Sequence, residues 1–399
     1  MEAKALTLVL QCAAGDDCCN GACTNLQDSL SNCGACGNTC PAGSTCSSGT
    51  CELCTSFQAQ ATFDAGSGPI SVAVGDFNGD SHIDIVAANP NSNTASVLLG
   101  TGSGSFQAPT TFPVGPGPNV VAVGDFNGDG DLDIVTTNYF DNTVSVLLGT
   151  GSGSFQPQAT FPVGSGPIGI AVSDINEDGN LDIVIANQVS NTVSVLLGTG
   201  SGSFQAQTTF PVGPGPNVVA VGDFNQDNHL DIVTSNVNDG TVSVLLGTGS
   251  GSFQAQTAFP VGSLPFGLAV GDFNQDSHLD IVTSNVNDGT VSVLLGTGSG
   301  SFQPQVIFPV GSFPFSVAVG EFNGDAYLDI VTTNRGDNTV SVLLGTGSGS
   351  FQPQATFPVG SRPIGVAVAE FNGDGQFDIV TSNVNEDTVS VLLGKPCDD

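Results

Sequence analysis

The 399-residue sequence predicts an all-β protein, a seven-bladed β-propeller of four-stranded blades behind a small disulfide-rich module. Three observations predict it. A unit of 49 residues recurs seven times without insertion or deletion. No window of that unit carries an apolar period of 3.6 residues. The chain opens on the last strand of a unit and closes after the third strand of another, the offset that a closed ring needs.

The repeat is read from two markers. Ser-Phe-Gln begins at Ser56, Ser105, Ser154, Ser203, Ser252, Ser301 and Ser350, and an acidic motif opens at Asp76, Asp125, Asp174, Asp223, Asp272, Glu321 and Glu370. A fixed period between 20 and 50 residues marks a solenoid, a propeller or an array. In the second unit, residues 119–126 (NVVAVGDF) form strand A and 132–136 (LDIVT) strand B. Residues 143–148 (TVSVLL) form strand C and 154–163 (SFQPQATFPV) strand D. Gly, Asn, Asp and Pro separate them, as turns require. Four strands in a unit of this length suit a propeller blade, whereas a parallel β-helix uses shorter coils. The D-type strand at 56–63 then completes the last blade, whose own third strand is 388–393.

Composition excludes several functions. The chain has 37 acidic and 4 basic side chains, a formal charge of −33, with no tryptophan and two tyrosines. Such a chain has no cationic surface to displace the counterions of nucleic acid, and no attraction to an anionic membrane. Regular Val, Leu, Ile and Phe argue against disorder.

Ten of eleven cysteines precede residue 55. Cys54 and Cys397 share one phase of the repeat, so ring closure brings them together where other blades have a Thr-Gly-Ser-Gly turn. A disulfide between them is expected, two free thiols being the alternative. Residues 1–14 read as a truncated signal segment, and Gln11 before Cys12 is weak support for lipoprotein cleavage. Residues 15–53 hold Cys18, Cys19, Cys23, Cys33, Cys36, Cys40, Cys46 and Cys51. Eight cysteines in so short a stretch read as four disulfides of an extracellular module, in any of 105 pairings. Zinc is the rival through Cys33-x-x-Cys36, but no histidine lies nearby. The stretch resembles the Stig1-type cysteine-rich module, through Cys18-Cys19-Asn20-Gly21-x-Cys23 and Asn32-Cys33-Gly34-x-Cys36-Gly37-Asn38-x-Cys40. That resemblance implies no dependable activity. Residues 54–399 form the propeller.

The loops between strands A and B carry the chemistry. In the second blade, Asp125, Asn127, Asp129 and Asp133 stand at loop positions 1, 3, 5 and 9, and Asp131 at position 7 offers its carbonyl. Ca²⁺ needs six to eight oxygens, and alternate spacing on a tight turn aims successive side chains inward; Mg²⁺ suits this set less. The equivalents are Asp76, Asn78, Asp80, His82 and Asp84 in blade 1, and Asp174, Asn176, Asp178, Asn180 and Asp182 in blade 3. Blade 4 has Asp223, Asn225, Asp227, His229 and Asp231, and blade 5 has Asp272, Asn274, Asp276, His278 and Asp280. Blade 6 has Glu321, Asn323, Asp325, Tyr327 and Asp329, and blade 7 has Glu370, Asn372, Asp374, Gln376 and Asp378. Up to seven Ca²⁺ ions are expected, which would bring the charge from −33 to −19. Position 6 calls for positive φ, so Gly130 and Gly179 rank blades 2 and 3 tightest, while Ala326 and a lengthened Glu321 rank blade 6 weakest. The bland alternative is a set of solvated acidic turns.

These units resemble the FG-GAP or VCBS-type repeat, the calcium-bearing propeller repeat also found in integrin α-subunit heads. The resemblance rests on Val-Ala-Val-Gly-Asp-Phe-Asn-Gly-Asp at 72–80 and its copies, and spans 56–394. It implies calcium ligands at positions 1, 3, 5 and 9 of each loop. The dipeptides that name the family, Phe-Gly and Gly-Ala-Pro, are replaced here by Phe-Gln and Gly-x-x-Pro, so no integrin-like partner carries over.

In a propeller the A–B and C–D turns share one face, and the D–A and B–C loops the other. On that second face Leu264, Phe266, Phe313, Phe315, Arg335 and Arg362 depart from their repeat equivalents. They are the candidate partner-binding residues, with drift in exposed loops as the alternative. Arg335-Gly336-Asp337 matches an integrin-recognition tripeptide, but sibling turns are already acidic and chance explains it as well. No nucleophile with a nearby base departs from its six equivalents, so no enzyme is expected. The expectation is a monomeric, secreted or cell-surface, calcium-loaded propeller that binds a protein, or alternatively a glycan. In a non-reduced digest, mass spectrometry should find the Cys54 and Cys397 peptides linked; both recovered as free thiols would overturn the closing disulfide.

Overall fold

The computed structural model describes residues 56–395, together with the backbone of four short strands nearer the start of the chain. Those four strands pair as two antiparallel hairpins, Asp16–Cys19 with Ala22–Asn25 and Ser44–Ser47 with Thr50–Leu53. Their register sets Cys18 opposite Cys23 and Cys46 opposite Cys51. The expected signal segment, the module's disulfides and the Cys54–Cys397 bond lie outside the described residues.

Seven four-stranded antiparallel sheets follow one another in a ring. In the second blade, strands A to D are Pro118–Gly124, Asp133–Asn138, Thr143–Leu147 and Ala159–Pro162. Strand A ends before the predicted Phe126, because the Phe126 N–H leaves the ladder to bond the Asp133 carboxylate at 2.8 Å. Strand D is shorter than predicted. Phe155 makes an isolated bridge with Gly149, and the register slips by one residue before Ala159 pairs with Val146. A bulge thus separates the Ser-Phe-Gln marker from the strand it announces.

Burial peaks in the middle strands of each blade, and strand A at the axis is only partly covered. Strand B is buried along its whole length in all seven blades, strand C nearly so, and strand D is mostly exposed. The β-branched Asp-Ile-Val runs of strand B suit a central strand covered on both faces. Each apolar cluster spans two neighbouring blades: Phe77, Val86 and Val97 of blade 1 pack with Val121, Ile134 and Leu147 of blade 2.

Phenylalanine joins the blades. The Phe of each Ser-Phe-Gln lies edge-on against rings of the preceding blade, as Phe155 does against Phe77 at 5.7 Å and Phe112 at 5.1 Å. Edge-to-face pairs at these separations add about 0.5–1.5 kcal/mol beyond area burial. The same wedge closes the ring, with Phe106 of blade 1 against Phe371 of blade 7. Twenty of the 25 phenylalanines serve these three repeated positions; the others are Phe140, Phe266, Phe313, Phe315 and Phe377.

Closure is as the offset predicts. Ala61–Asp64 pairs antiparallel with Thr388–Leu392 as the outer strand of blade 7. The Gln58 N–H donates to the Leu393 carbonyl at 2.8 Å, and that of Lys395 to the Ser56 carbonyl at 3.0 Å. Among the described residues no helix is long and apolar enough to cross a membrane.

Candidate metal loops and interaction face

The acidic loop is organised by its first carboxylate. In blade 2 the Asp125 Oδ1 accepts the N–H groups of Asn127, Gly128 and Asp129 at 3.3, 2.7 and 3.2 Å. Its Oδ2 accepts that of Gly130 at 2.9 Å. The Asp131 N–H donates to Asp129 Oδ1 at 2.9 Å, and the Asn127 side-chain amide donates to Asp129 Oδ2 at 2.8 Å. Positions 1, 3 and 5 therefore turn their oxygens toward one another on the exposed rim. Where Glu321 or Glu370 opens the loop, one oxygen, Oε1, takes the N–H groups of positions 3, 4 and 5.

Position 9 is different. Asp84, Asp133, Asp182, Asp231, Asp280, Asp329 and Asp378 are fully buried. Asp133 Oδ2 accepts the N–H of Phe126, and its Oδ1 that of Gly149 in the C–D turn at 2.7 Å. Burial pushes its carboxyl up to about 6, against the pull of those two N–H groups, and the nearby Asp129 and Asp125 charges push the same way. Asp329 is driven to about 7 by the same causes. By contrast, the His82 backbone N–H holds the exposed Asp80 below the ordinary carboxylate range. Position 9 is therefore the floor of the loop and a clamp to the neighbouring turn.

Position 7 gives its N–H to position 5 in each loop, as His82 does to Asp80 at 2.9 Å. Its side chain covers the C–D turn of its own blade: a Cβ added to Gly102 would come within 2.4 Å of the His82 ring. Only the carbonyl of position 7 is left to serve an ion. Among the described residues no three His, Cys, Asp or Glu side chains are drawn together as a ready metal cluster; position 3 contributes an amide throughout.

Backbone strain distinguishes the loops. Position 6 has positive φ in every blade, including Ser81, Ser277 and Ala326 at 67°, 66° and 68°. Position 4 also has positive φ, and there blades 3, 4 and 5 carry Glu177, Gln226 and Gln275 at 61°, 61° and 60°. Their side chains reach the next loop: Glu177 meets His229 Nδ1 at 2.6 Å, while Gln226 and Gln275 donate to the carbonyls of Ser277 and Ala326. Blades 2 and 7 alone have glycine at both positions. Loop 3 is thus strained at a residue that the spacing argument did not weigh.

On the opposite face, one D–A position has positive φ in all seven units. It is glycine at 68, 117, 166 and 215, but Leu264, Phe313 and Arg362 occupy it at 58°, 52° and 59°. Next along the chain, Phe266 and Phe315 lie 4.5 Å apart between adjacent blades, and the Arg335 guanidinium stands 5.0 Å over the Phe315 ring. Burial and the charge of nearby Arg362 lower the pKa of Arg335. Among the described residues, ion pairs involve only His229 with Glu177 and His278 with Asp276, so neither arginine is paired with an acid. The Arg335-Gly336-Asp337 turn is stitched down, since the Asp337 carboxylate accepts the Ser312 N–H at 2.6 Å and Arg335 N–H bonds the Phe313 carbonyl. Sequence reasoning missed Phe140 and Val189, 72% and 62% exposed in the B–C turns of blades 2 and 3, with Tyr139 edge-on to Phe140. Their signal in the sequence is that the equivalent position of the other B–C turns is asparagine or glycine.

The family model described as FG-GAP-like repeat matches residues 76–136, 125–185, 174–234, 234–283, 283–332 and 322–381. The model of the stigma-specific STIG1-like protein family matches 6–54. No curated protein matches. Among solved structures, a virginiamycin B lyase from Staphylococcus aureus is 14% identical with a TM-score of 0.60, over 85% of this chain and 99% of that one. BBS1N, solved in complex with ARL6DN, is 12% identical with a TM-score of 0.61, over 86% and 99%. A lectin of Agrocybe aegerita, solved for its recognition of non-reducing terminal N-acetylglucosamine, is 16% identical with a TM-score of 0.53, over 83% and 96%.

The clamp at position 9 can be tested without any ion. Asp133→Ala leaves two buried N–H groups without their acceptor and should cost about 3 kcal/mol in metal-free denaturant unfolding. An unchanged midpoint would show that Asp133 acts only as a ligand.

Proposed function

The chain belongs to the FG-GAP-like repeat family, and on that premise we propose that it is a calcium-stabilised propeller, secreted or at the cell surface, that recognises a partner protein. The partner docks on the face opposite the acidic loops. The observation that carries this reading is the strained trio Leu264, Phe313 and Arg362. A left-handed backbone costs a side-chain-bearing residue about 1–2 kcal/mol, and four sibling loops avoid it with glycine. Neutral drift favours a return to glycine, whereas a recognition surface has reason to hold bulky and cationic side chains there. Exposed Phe140, Val189 and Phe313 add apolar area on the same face.

The donor set fits calcium. Each loop offers carboxylate oxygens from positions 1 and 5, an amide oxygen from position 3, a carbonyl from position 7 and the position-9 carboxylate beneath, all of them hard ligands. The ion would supply positive charge among acids that, among the described residues, pair with no lysine or arginine. Positions 1 and 5 bind it, and position 9 holds the floor. A structural role follows from this placement, because every loop lies against the C–D turn of its own blade. The cysteine-rich stretch supports an oxidising, extracytoplasmic setting.

A glycan is the second reading, favoured by the Tyr139–Phe140 pair, whose ring faces suit a sugar. The likenesses to a lectin, to a protein complex and to a lyase all extend to the fold alone. A glycan array with and without calcium separates the two.

Excess EDTA should lower the melting temperature by many degrees, and a superimposable thermal scan would sink the calcium reading. Phe313→Gly should raise stability by about 1 kcal/mol, by relief of strain, while reducing capture of the partner from extracellular extract. Greater stability with undiminished capture would move the docking site elsewhere.

A further inference from the structure

The ring is not filled at its axis. A cavity of about 300 Å³ lies among the first residues of all seven A strands, at the lower end of the range of ligand pockets. Seven equivalent positions line it, and they read Ile70, Asn119, Ile168, Asn217, Phe266, Phe315 and Ile364 in order around the axis. None is charged. Because these residues directly follow the D–A loops, the cavity belongs to the face that carries Arg335 and Arg362.

Three features make it asymmetric. Phe266 and Phe315 form a tilted pair on one wall. Asn217 is 2% exposed, and its Nδ2 donates to the Phe266 carbonyl at 2.8 Å while its Oδ1 has no hydrogen-bond partner. A buried acceptor without a donor costs free energy that a ligand N–H or O–H would recover. Neither arginine lines the cavity, but behind the phenylalanines the Arg335 guanidinium stands 5.0 Å over Phe315, and the charge of Arg362 reaches it. Two adjacent cations without acidic partners are out of character in a chain of charge −33.

We propose that this axial cavity binds a small organic anion. Its aromatic or branched apolar body sits on Phe266 and Phe315, a hydrogen-bond donor meets Asn217, and its acidic group lies against Arg335 and Arg362. The chain's overall field opposes an anion at long range, but screening over about 8–10 Å at physiological salt leaves the local pair of guanidinium groups dominant. The inference goes beyond the partner-docking reading, since it concerns a concave site inside the ring and requires neither partner nor calcium.

The test uses the full chain and the fluorescent anion anilinonaphthalene sulfonate, with neutral N-phenylnaphthylamine as its uncharged counterpart. One sulfonate should bind per chain. Arg335→Gln with Arg362→Gln should weaken it about tenfold or more and leave the neutral probe within about twofold, as expected when a paired charge is removed from a retained apolar seat. On the unaltered chain, N-acetylphenylalanine should displace the probe and its uncharged amide should not, an outcome that depends on no variant folding. Absence of saturable binding, equal displacement by acid and amide, or indifference to the arginine changes would overturn the proposal. Any of these would leave the partner reading to be judged by Phe313→Gly.

Discussion

A carboxylate buried at the ninth position of each loop is the contact on which the ring depends. In blade 1, Asp84 fixes the Phe77 N–H with one oxygen and the Gly100 N–H of the C–D turn with the other. The carbonyl of the same residue, Phe77, accepts the Gly153 N–H from the turn of blade 2. One residue is thus held by its own blade through its N–H and by the next blade through its carbonyl. The relay recurs at Phe126, Phe224, Phe273 and Phe371, the last joining blade 7 to blade 1. Sharing a residue in this way makes the order of the loops and the order of the ring a single problem. It also explains in part why carboxylates can crowd so closely: the buried one is part of the scaffold, and those at positions 1 and 5 accept N–H groups of their own loop.

Charge and packing are divided between the two faces. The acidic face is nearly uniform around the ring, and its departures, Glu177, Gln226 and Gln275, are absorbed by bridges to the next loop. The other face departs in kind. Of the five phenylalanines that the inter-blade wedges do not use, Phe140, Phe266, Phe313 and Phe315 lie there. Uniformity where blades must fit each other and variety where they need not is what repeat architectures permit, because each unit constrains only its neighbours.

Most of the fold was legible because the period superposes seven copies and every copy repeats the same strand pattern. The closing strand was legible for the same reason, from phase alone. What escaped was set by contacts that residue type does not announce. Strand A stops early because Asp133 captures the Phe126 N–H. The aspartate at position 9 looks like its neighbours in sequence, yet it is buried and they are exposed. Glu177 and Gln226 read as ordinary solvent residues, and only their positive φ marks them as strained. Spacing alone proposes ligands at positions 1, 3, 5 and 9 with the carbonyl of 7, whereas the strain at position 4 and the clamp made by position 9 needed the fold.

Strain and shape point to the same sector. Leu264, Phe313 and Arg362 occupy successive loops entering blades 5, 6 and 7, and the Phe266–Phe315 pair lies on the axial wall of blades 5 and 6. A ring of seven equal blades would present a ligand with seven equal orientations and therefore with little preference for any. Placing the strained trio, the Phe266–Phe315 pair and both arginines in one arc removes that degeneracy, at the cost of backbone strain in three loops. Because each blade bears only on its two neighbours, that strain stays local and the rest of the ring keeps its register. A direction is thereby built onto a symmetric frame by altering a few loop residues, with no insertion in the repeat.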